Sequence, residues 1–137
     1  MAFSIRRIEY FHSAVEDQPG EAYKLLSMLR DLGVNLLAFT AVPCGPTRTL
    51  LTLFPEDSSR LKSAVARSGM TLDGPHKAIL VQGDDELGAL ADVHRRLYEA
   101  GVNVASSNAV TDGRGSYGYI IYVRPEEHDK AAAALQV

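Results

Sequence analysis

The apolar positions of the chain change period at regular intervals. Residues 5–15 read as a strand; Ala22, Leu25, Leu26, Leu29 and Leu32 then recur three and four apart, the spacing of one helix face. Apolar runs at 34–42 and 48–54 flank a turn containing Pro43, Gly45 and Pro46, which predicts a hairpin. A second helix is expected over 57–68, with Leu61 and Val65 inward and Gly69 at its end, then a short strand at Met70-Thr71-Leu72. The succession then returns. A strand at 77–82 leads to a helix carrying Leu90, Val93, Leu97 and Ala100, an apolar run at 102–110, a turn at Asp112-Gly113-Arg114-Gly115, a strand at 117–124 and a helix at 126–136 with Ala131 and Leu135 inward. Both first helices run into a glycine, Gly33 or Gly101, which accepts the left-handed position that closes a helix.

The recurrence is also one of residue identity. Shifted by 68, residues 17–42 match residues 85–110 at Asp17, Gly20, Leu29, Gly33, Val34, Asn35, Ala41 and Val42, eight of 26 positions. Unrelated segments would share about two at ordinary residue frequencies. Two extra residues in the second copy raise the shift to 70, which lays Arg124-Pro125-Glu126-Glu127 over Phe54-Pro55-Glu56-Asp57. The chain therefore reads as a tandem duplication, residues 1–74 and 75–137, divided at the turn-forming Asp73-Gly74-Pro75. Each copy has the order β-α-β-β-α-β of a ferredoxin-like α+β fold, an antiparallel sheet with its helices on one face. The second copy stops at Val137 within its last helix, so its fourth strand is expected to be missing. The bare edge then has to be covered or filled by a neighbouring strand, such as 70–72 or one from another chain, and the two sheets are expected to pair side by side.

The 137 residues are 46% hydrophobic and 23% charged, enough apolar side chain for a core and too little charge imbalance for disorder. With 14 Lys and Arg against 17 Asp and Glu, the net charge of −3 offers no basic field for nucleic acid or an anionic membrane. No apolar stretch approaches the roughly 20 residues of a spanning helix, and no secretion signal is visible at the N-terminus. The single cysteine, Cys44, excludes an intrachain disulfide and fits a reducing compartment, so a cytoplasmic location is expected.

The chemistry suggested by the repeat is ligand binding. Gly20 and Gly88 stand where the chain enters each first helix; unpaired N–H groups and the positive dipole end favour a carboxylate there, and glycine lets it approach the main chain. Asn35 and Asn103, at the start of the next strand, offer a side-chain oxygen to an ammonium group. Structural roles compete with these. Asp17 and Asp85 can be N-caps of their own helices, and Asn35 and Asn103 can be helix-exit residues bonded locally. The acidic clusters Glu16-Asp17 and Asp84-Asp85-Glu86 suit a solvated helix start, so no metal or cofactor is assigned. His94, in the place of Leu26, is expected to pack at the interface between the copies with its polar tip satisfied, or else to touch ligand; His12, His76 and His128 share no ligand-like spacing. Asp112-Gly113-Arg114-Gly115-Ser116 lacks the lysine of a phosphate loop, and Tyr117 and Tyr119 share a strand face that suits core packing.

Val15-Glu16-Asp17-Gln18-Pro19-Gly20, Leu25-Leu26, Leu29 and Leu32-Gly33-Val34-Asn35-Leu36 resemble the first half of an ACT domain, the small-molecule sensor module of many enzymes of amino-acid metabolism. Gly83-Asp84-Asp85-Glu86-Leu87-Gly88, Leu97 and Ala100-Gly101-Val102-Asn103-Val104 repeat the likeness, which covers nearly the whole chain. The resemblance implies a ferredoxin-like fold, side-by-side pairing, and a free amino acid bound between copies, with Asp17, Gln18, Gly20, Asn35, Leu36, Asp85, Glu86, Leu87, Gly88, Asn103 and Val104 as site residues. It pairs the loop at 17–20 with Asn103 and the loop at 85–88 with Asn35. The expected protein is a non-catalytic amino-acid sensor, a homodimer that modulates its own association or a partner enzyme of amino-acid metabolism. The alternatives are a small ferredoxin-like enzyme with His12 or His94 as acid/base, and a ligand-free oligomerisation module.

Overall fold

The computed structural model describes residues 3–137; Met1 and Ala2, the first residues of the N-terminal stretch read above, lie outside the described residues. The elements run β1 (Phe3–Glu16), α1 (Glu21–Asp31), β2 (Leu36–Pro43), β3 (Arg48–Pro55), α2 (Ser58–Ser68), β4 (Asp73–Asp84), α3 (Ala89–Glu99), β5 (Ser106–Thr111), β6 (Ser116–Tyr122), a 3-10 turn at Pro125–Glu127, and α4 (His128–Ala134). Among the described residues the strands hydrogen-bond in the order β2-β3-β1-β4-β6-β5. The expected α+β class and ferredoxin-like order are observed.

The duplication is visible in the register. Phe11 faces Leu53 and Glu16 faces Arg48 across β1 and β3; Ile79 faces Ile121 and Asp84 faces Ser116 across β4 and β6, each pair displaced by 68 residues. The helix ends repeat too. In α1 the N–H of Val34 donates to Leu29 O at 2.8 Å and that of Gly33 to Arg30 O at 3.1 Å; in α3, Val102 donates to Leu97 O and Gly101 to Tyr98 O. These paired bonds satisfy the last helical carbonyls and require a left-handed residue, supplied by Gly33 at φ 74° and Gly101 at φ 72°.

The strands, unlike the helices, cross the expected division. Asp73-Gly74-Pro75 is not a linker but the first part of the twelve-residue β4, and residues 70–72 form no strand. The chain clusters into one unit of Glu9–His76 and another in which the segment ending at Ile8 joins Lys77–Val137. Within the first, the start of β4 supplies the fourth strand, and it lies so close that a Cβ on Gly74 would stand 2.9 Å from Tyr10 O and 2.8 Å from the Phe11 ring. Within the second, the missing fourth strand is the chain's own beginning. There Ile5 packs on the core, Phe3 lies under the Arg96 guanidinium at 5.4 Å, and Arg7 reaches Asp129 at 3.2 Å and Val137 O at 3.1 Å.

Each unit buries one face of its strands against two helices. In residues 9–76 the core comprises Phe11, Leu25, Leu29, Val34, Leu51, Leu53, Leu61, Ala64 and Val65. In the other unit Ile79, Val93, Leu97, Val102, Tyr119, Ile121, Ala131 and Leu135 take corresponding places. The inward placement expected for Leu61, Val65, Ala131 and Leu135 holds. Alternation puts Tyr10, His12 and Thr52 on the face of the strands turned away from the helices. There burial, with the neighbouring His76 adding to it and Asp73 opposing, holds the His12 imidazole below its ordinary range.

His128 is the anomaly of the second unit. It opens α4 with only 3% exposure, and neither ring nitrogen has a partner among the described residues. Burial, then the nearby charges of Arg7 and Lys77, lower its pKa, against a smaller opposing effect of Asp129. The unfolded chain therefore takes up a proton near pH 6.5 that the folded chain resists, so this residue's contribution is fully present above that pH and is lost as pH falls below it. Exchanging the ring for an apolar side chain removes that cost along with the unpaired nitrogens. His128→Leu should therefore be as stable as the parent or more so at pH 7.5, and should lose less stability on acidification to pH 5.5, as read by urea denaturation at both values. Equal acid sensitivity in the two proteins would contradict this reading.

Candidate functional site

The two units share one local structure where the first strand enters the first helix. The N–H of Asp17 donates to Thr47 O at 2.9 Å and that of Asp85 to Gly115 O at 2.8 Å, tying each loop to the hairpin turn beside it. The helices begin three residues later. Their N-caps are Gly20 at φ 91° and Gly88 at φ 78°, and no side chain caps either one. The N-cap role open to Asp17 and Asp85 is therefore not the one they take: the aspartates close the loop through their backbone. A glycine cap has no side-chain oxygen to offer; at the start of α3 the Ala89 N–H donates to Glu86 O at 3.1 Å and the Ala91 N–H to Gly88 O at 3.0 Å, which among the described residues leaves the Leu90 N–H as the first-turn donor open to an anion.

Around these matching loops the units differ. In the second unit a cavity of about 550 Å³ opens at the start of α3, bordered by Asp85, Glu86, Leu87 and Gly88, by Val110 of β5 and by Tyr117 of β6. Tyr117 is only 7% exposed, yet its hydroxyl has no partner among the described residues. Burial, with Asp84 and Glu86 adding negative charge nearby, pushes the phenol above its ordinary range, so it stays protonated and can donate. Buried hydroxyls are normally paired, and one left open beside uncapped helix donors is placed to bind an acceptor. Leu87 is fully exposed and Val110 73% exposed, forming an apolar lip.

In the first unit, 117 less 68 puts Thr49 in the place of Tyr117 and Arg48 in that of Ser116. Glu16, Asp17 and Gln18 border a smaller cleft of about 420 Å³ with Pro46, Thr47 and Arg48. The Arg48 guanidinium is held there by Ala14 O at 2.9 Å.

The remaining sequence-derived residues have other surroundings. Asn35 donates through Nδ2 to Glu56 Oε2 at 2.8 Å, and its main-chain carbonyl accepts the Glu56 N–H at 2.9 Å, so it is bonded locally. Leu36 packs on the core of the first unit and Val104 on that of the second. Asn103 is exposed and lies outside the cavity at Gly88. The histidines read as possible acid/base groups are hydrogen-bonded to hydroxyls: His12 Nδ1 meets Thr52 Oγ1 at 3.0 Å, and His94 Nε2 is hydrogen-bonded to Tyr119 Oη. The expected satisfied tip of His94 is thus seen. Tyr117 was legible only as a core tyrosine. The signal that singles it out is the Thr49-to-Tyr117 exchange between copies that otherwise keep the same loop.

One βαββαβ unit and a second that repeats it with its fourth strand taken from the start of β1, both with glycine-capped loops entering the first helices, define a tandem ferredoxin-like protein of the ACT type in fold. No family model and no curated protein matches the chain. Solved structures do. Protein BT0572 from Bacteroides thetaiotaomicron aligns with a TM-score of 0.80 at 17% identity, over 96% of this chain and 88% of that one. The regulatory subunit of aspartate kinase from Thermus thermophilus, in its ligand-free form, aligns at 0.64 and 17% identity over 98% and 94%. The aspartokinase alpha and beta subunits align at 0.61 and 18% identity over 99% and 95%. At these identities the likeness is one of fold.

Removing an unpaired buried hydroxyl relieves a desolvation cost that no bond offsets, whereas removing a paired one loses about 1 kcal/mol. Tyr117→Phe in the free protein should therefore be neutral or stabilising in urea denaturation. A loss above about 1 kcal/mol would mean that the hydroxyl is already engaged in the free protein.

Proposed function

We propose that the chain is a non-catalytic regulatory protein that binds a free amino acid at the N-terminus of α3. The observation that carries this reading is the unpartnered Tyr117 hydroxyl beside the uncapped Gly88 turn. In this arrangement the ligand carboxylate accepts from the Leu90 N–H and from Tyr117 Oη, while Asp85 and Glu86 supply negative charge for its ammonium group. Leu87 and Val110 receive its side chain. The loop at Gln18–Gly20, with Thr49 in the tyrosine's place and Arg48 on its border, is left without ligand. The fold-sharing regulatory subunit of aspartate kinase supports a role in controlling an enzyme of amino-acid metabolism.

The ligand acts through association. All six residues of β5 are exposed, and with Leu87 and Val110 they present an open strand edge and an apolar lip on one side of the cavity. A second copy of the chain covers this edge, and an amino acid bound beside it favours one association state by its differential affinity for the two. No described helix is long and apolar enough to cross a membrane, and the exposed free thiol of Cys44 fits the reducing cytoplasm.

Thermal denaturation in the presence of each of the twenty amino acids tests the reading, because a ligand of the folded state at a hundredfold excess over Kd adds about 2.7 kcal/mol. At least one amino acid should raise the midpoint. Tyr117→Phe should weaken that ligand about tenfold, by about 1.4 kcal/mol. A Cβ on Gly88 meets nothing within 4 Å, so Gly88→Ala should fold with a left-handed strain of roughly 1–2 kcal/mol and also lose the shift. No shift with any amino acid, or shifts unchanged in both variants, would refute the site.

A further inference from the structure

The fold brings together two histidines that the sequence holds 64 positions apart, His12 on β1 and His76 on β4, both within the unit Glu9–His76. Their ring centroids are 5.3 Å apart, and the Tyr10 ring lies 5.2 Å from each. One nitrogen of each imidazole is already held: His12 Nδ1 by Thr52 Oγ1 at 3.0 Å, and His76 Nε2 by Asp73 Oδ2 at 2.9 Å. That leaves His12 Nε2 and His76 Nδ1.

We propose that His12 and His76 form a two-imidazole binding site for a divalent zinc ion, oriented by Thr52 and Asp73. Three observations converge on it. The first is spacing. With Zn–N bonds of about 2.0–2.1 Å an imidazole centroid lies about 3.2 Å from the metal, so two ligands at the tetrahedral angle have centroids about 5.2 Å apart and two at a right angle about 4.5 Å. The observed 5.3 Å matches the tetrahedral case. The second is tautomer control. Metal-binding histidines characteristically donate their other N–H to a carboxylate or a neutral oxygen, which fixes the ring and makes the free nitrogen a better ligand. Asp73 and Thr52 are placed to do this for His76 and His12. The third is support and access: the ligands stand on hydrogen-bonded neighbouring strands, and the His76 side chain is 38% exposed, so an ion can enter from solvent.

Among the described residues no group of three or more His, Cys, Asp or Glu is arranged around a common metal position. The protein thus supplies two ligands, and water or a small anion completes the tetrahedron. A two-ligand site of this kind holds an exchangeable ion rather than a permanent structural one, since structural zinc takes four protein ligands.

Isothermal titration of the tag-free full chain with zinc chloride at pH 7.5 should show one ion per chain with a micromolar Kd. His12→Gln and His76→Gln should each weaken binding at least tenfold. Asp73→Asn, which leaves both imidazoles in place, should weaken it about tenfold through the lost orientation of His76. Far-UV circular dichroism checks that the variants fold. Cobalt(II) in place of zinc should give the intense visible absorption of a tetrahedral ion, a readout on the unaltered chain that needs no variant. Absence of zinc binding, binding unchanged in both histidine variants, or the weak spectrum of six-coordinate cobalt would each overturn the proposal.

Discussion

The structure rests on a requirement of backbone chemistry: a strand with an unpaired row of N–H and C=O groups must find a neighbour. In the unit that carries α4, the segment ending at Ile8 takes the fourth strand position. Strand length makes this sharing possible. β1 and β4 run to 14 and 12 residues, and each is divided between the units: β1 after Ile8 and β4 after His76. The part of β1 up to Ile8 belongs with Lys77–Val137, and the part of β4 up to His76 supplies the last strand of the unit Glu9–His76. Neither copy, cut at the apparent boundary in the sequence, would be whole.

With the backbone so constrained, the entry loops have kept their form while their surroundings have diverged. Loop bonds, glycine caps and helix-ending bonds recur in both copies at a displacement of 68, down to the donor of each hydrogen bond. What separates them is carried by a few side chains. Tyr117 gives one loop a buried hydroxyl beside its cavity; Thr49 stands in its place in the other copy, where Arg48 borders both a cleft of about 420 Å³ at the loop and a cavity of about 540 Å³ at the first turn of α1. On the proposed reading, one copy binds the ligand and the other supports it.

Much of this was readable in the sequence. Helical spacing located Leu25, Leu29, Leu61 and Val65 on buried faces, and the paired glycines Gly33 and Gly101 marked the helix ends, because those signals are set by neighbours a few residues away. The misreadings arose where distant partners decide. Asp73-Gly74-Pro75 has the composition of a turn, yet close packing against Tyr10 and Phe11 draws it into a strand. Asp17 and Asp85 have the chemistry of caps, but the helix begins three residues on, at a glycine. Asn35, open to a local bond or a ligand, donates its amide to Glu56 just beyond β3, a contact that spacing along the chain does not reveal. His12 and His76 have no meaningful spacing in the chain; only the neighbouring of β1 and β4 sets them side by side.

The claim on which the functional account turns is that the start of α3, and not the start of α1, receives the ligand. Nuclear magnetic resonance of the nitrogen-15-labelled chain, titrated with free amino acids, reads both helix starts in one experiment. The account predicts that the amide signals of Glu86–Ala91 move with saturation while those of Gln18–Lys24 stay fixed. Movement confined to Gln18–Lys24, or none in either segment, would contradict it.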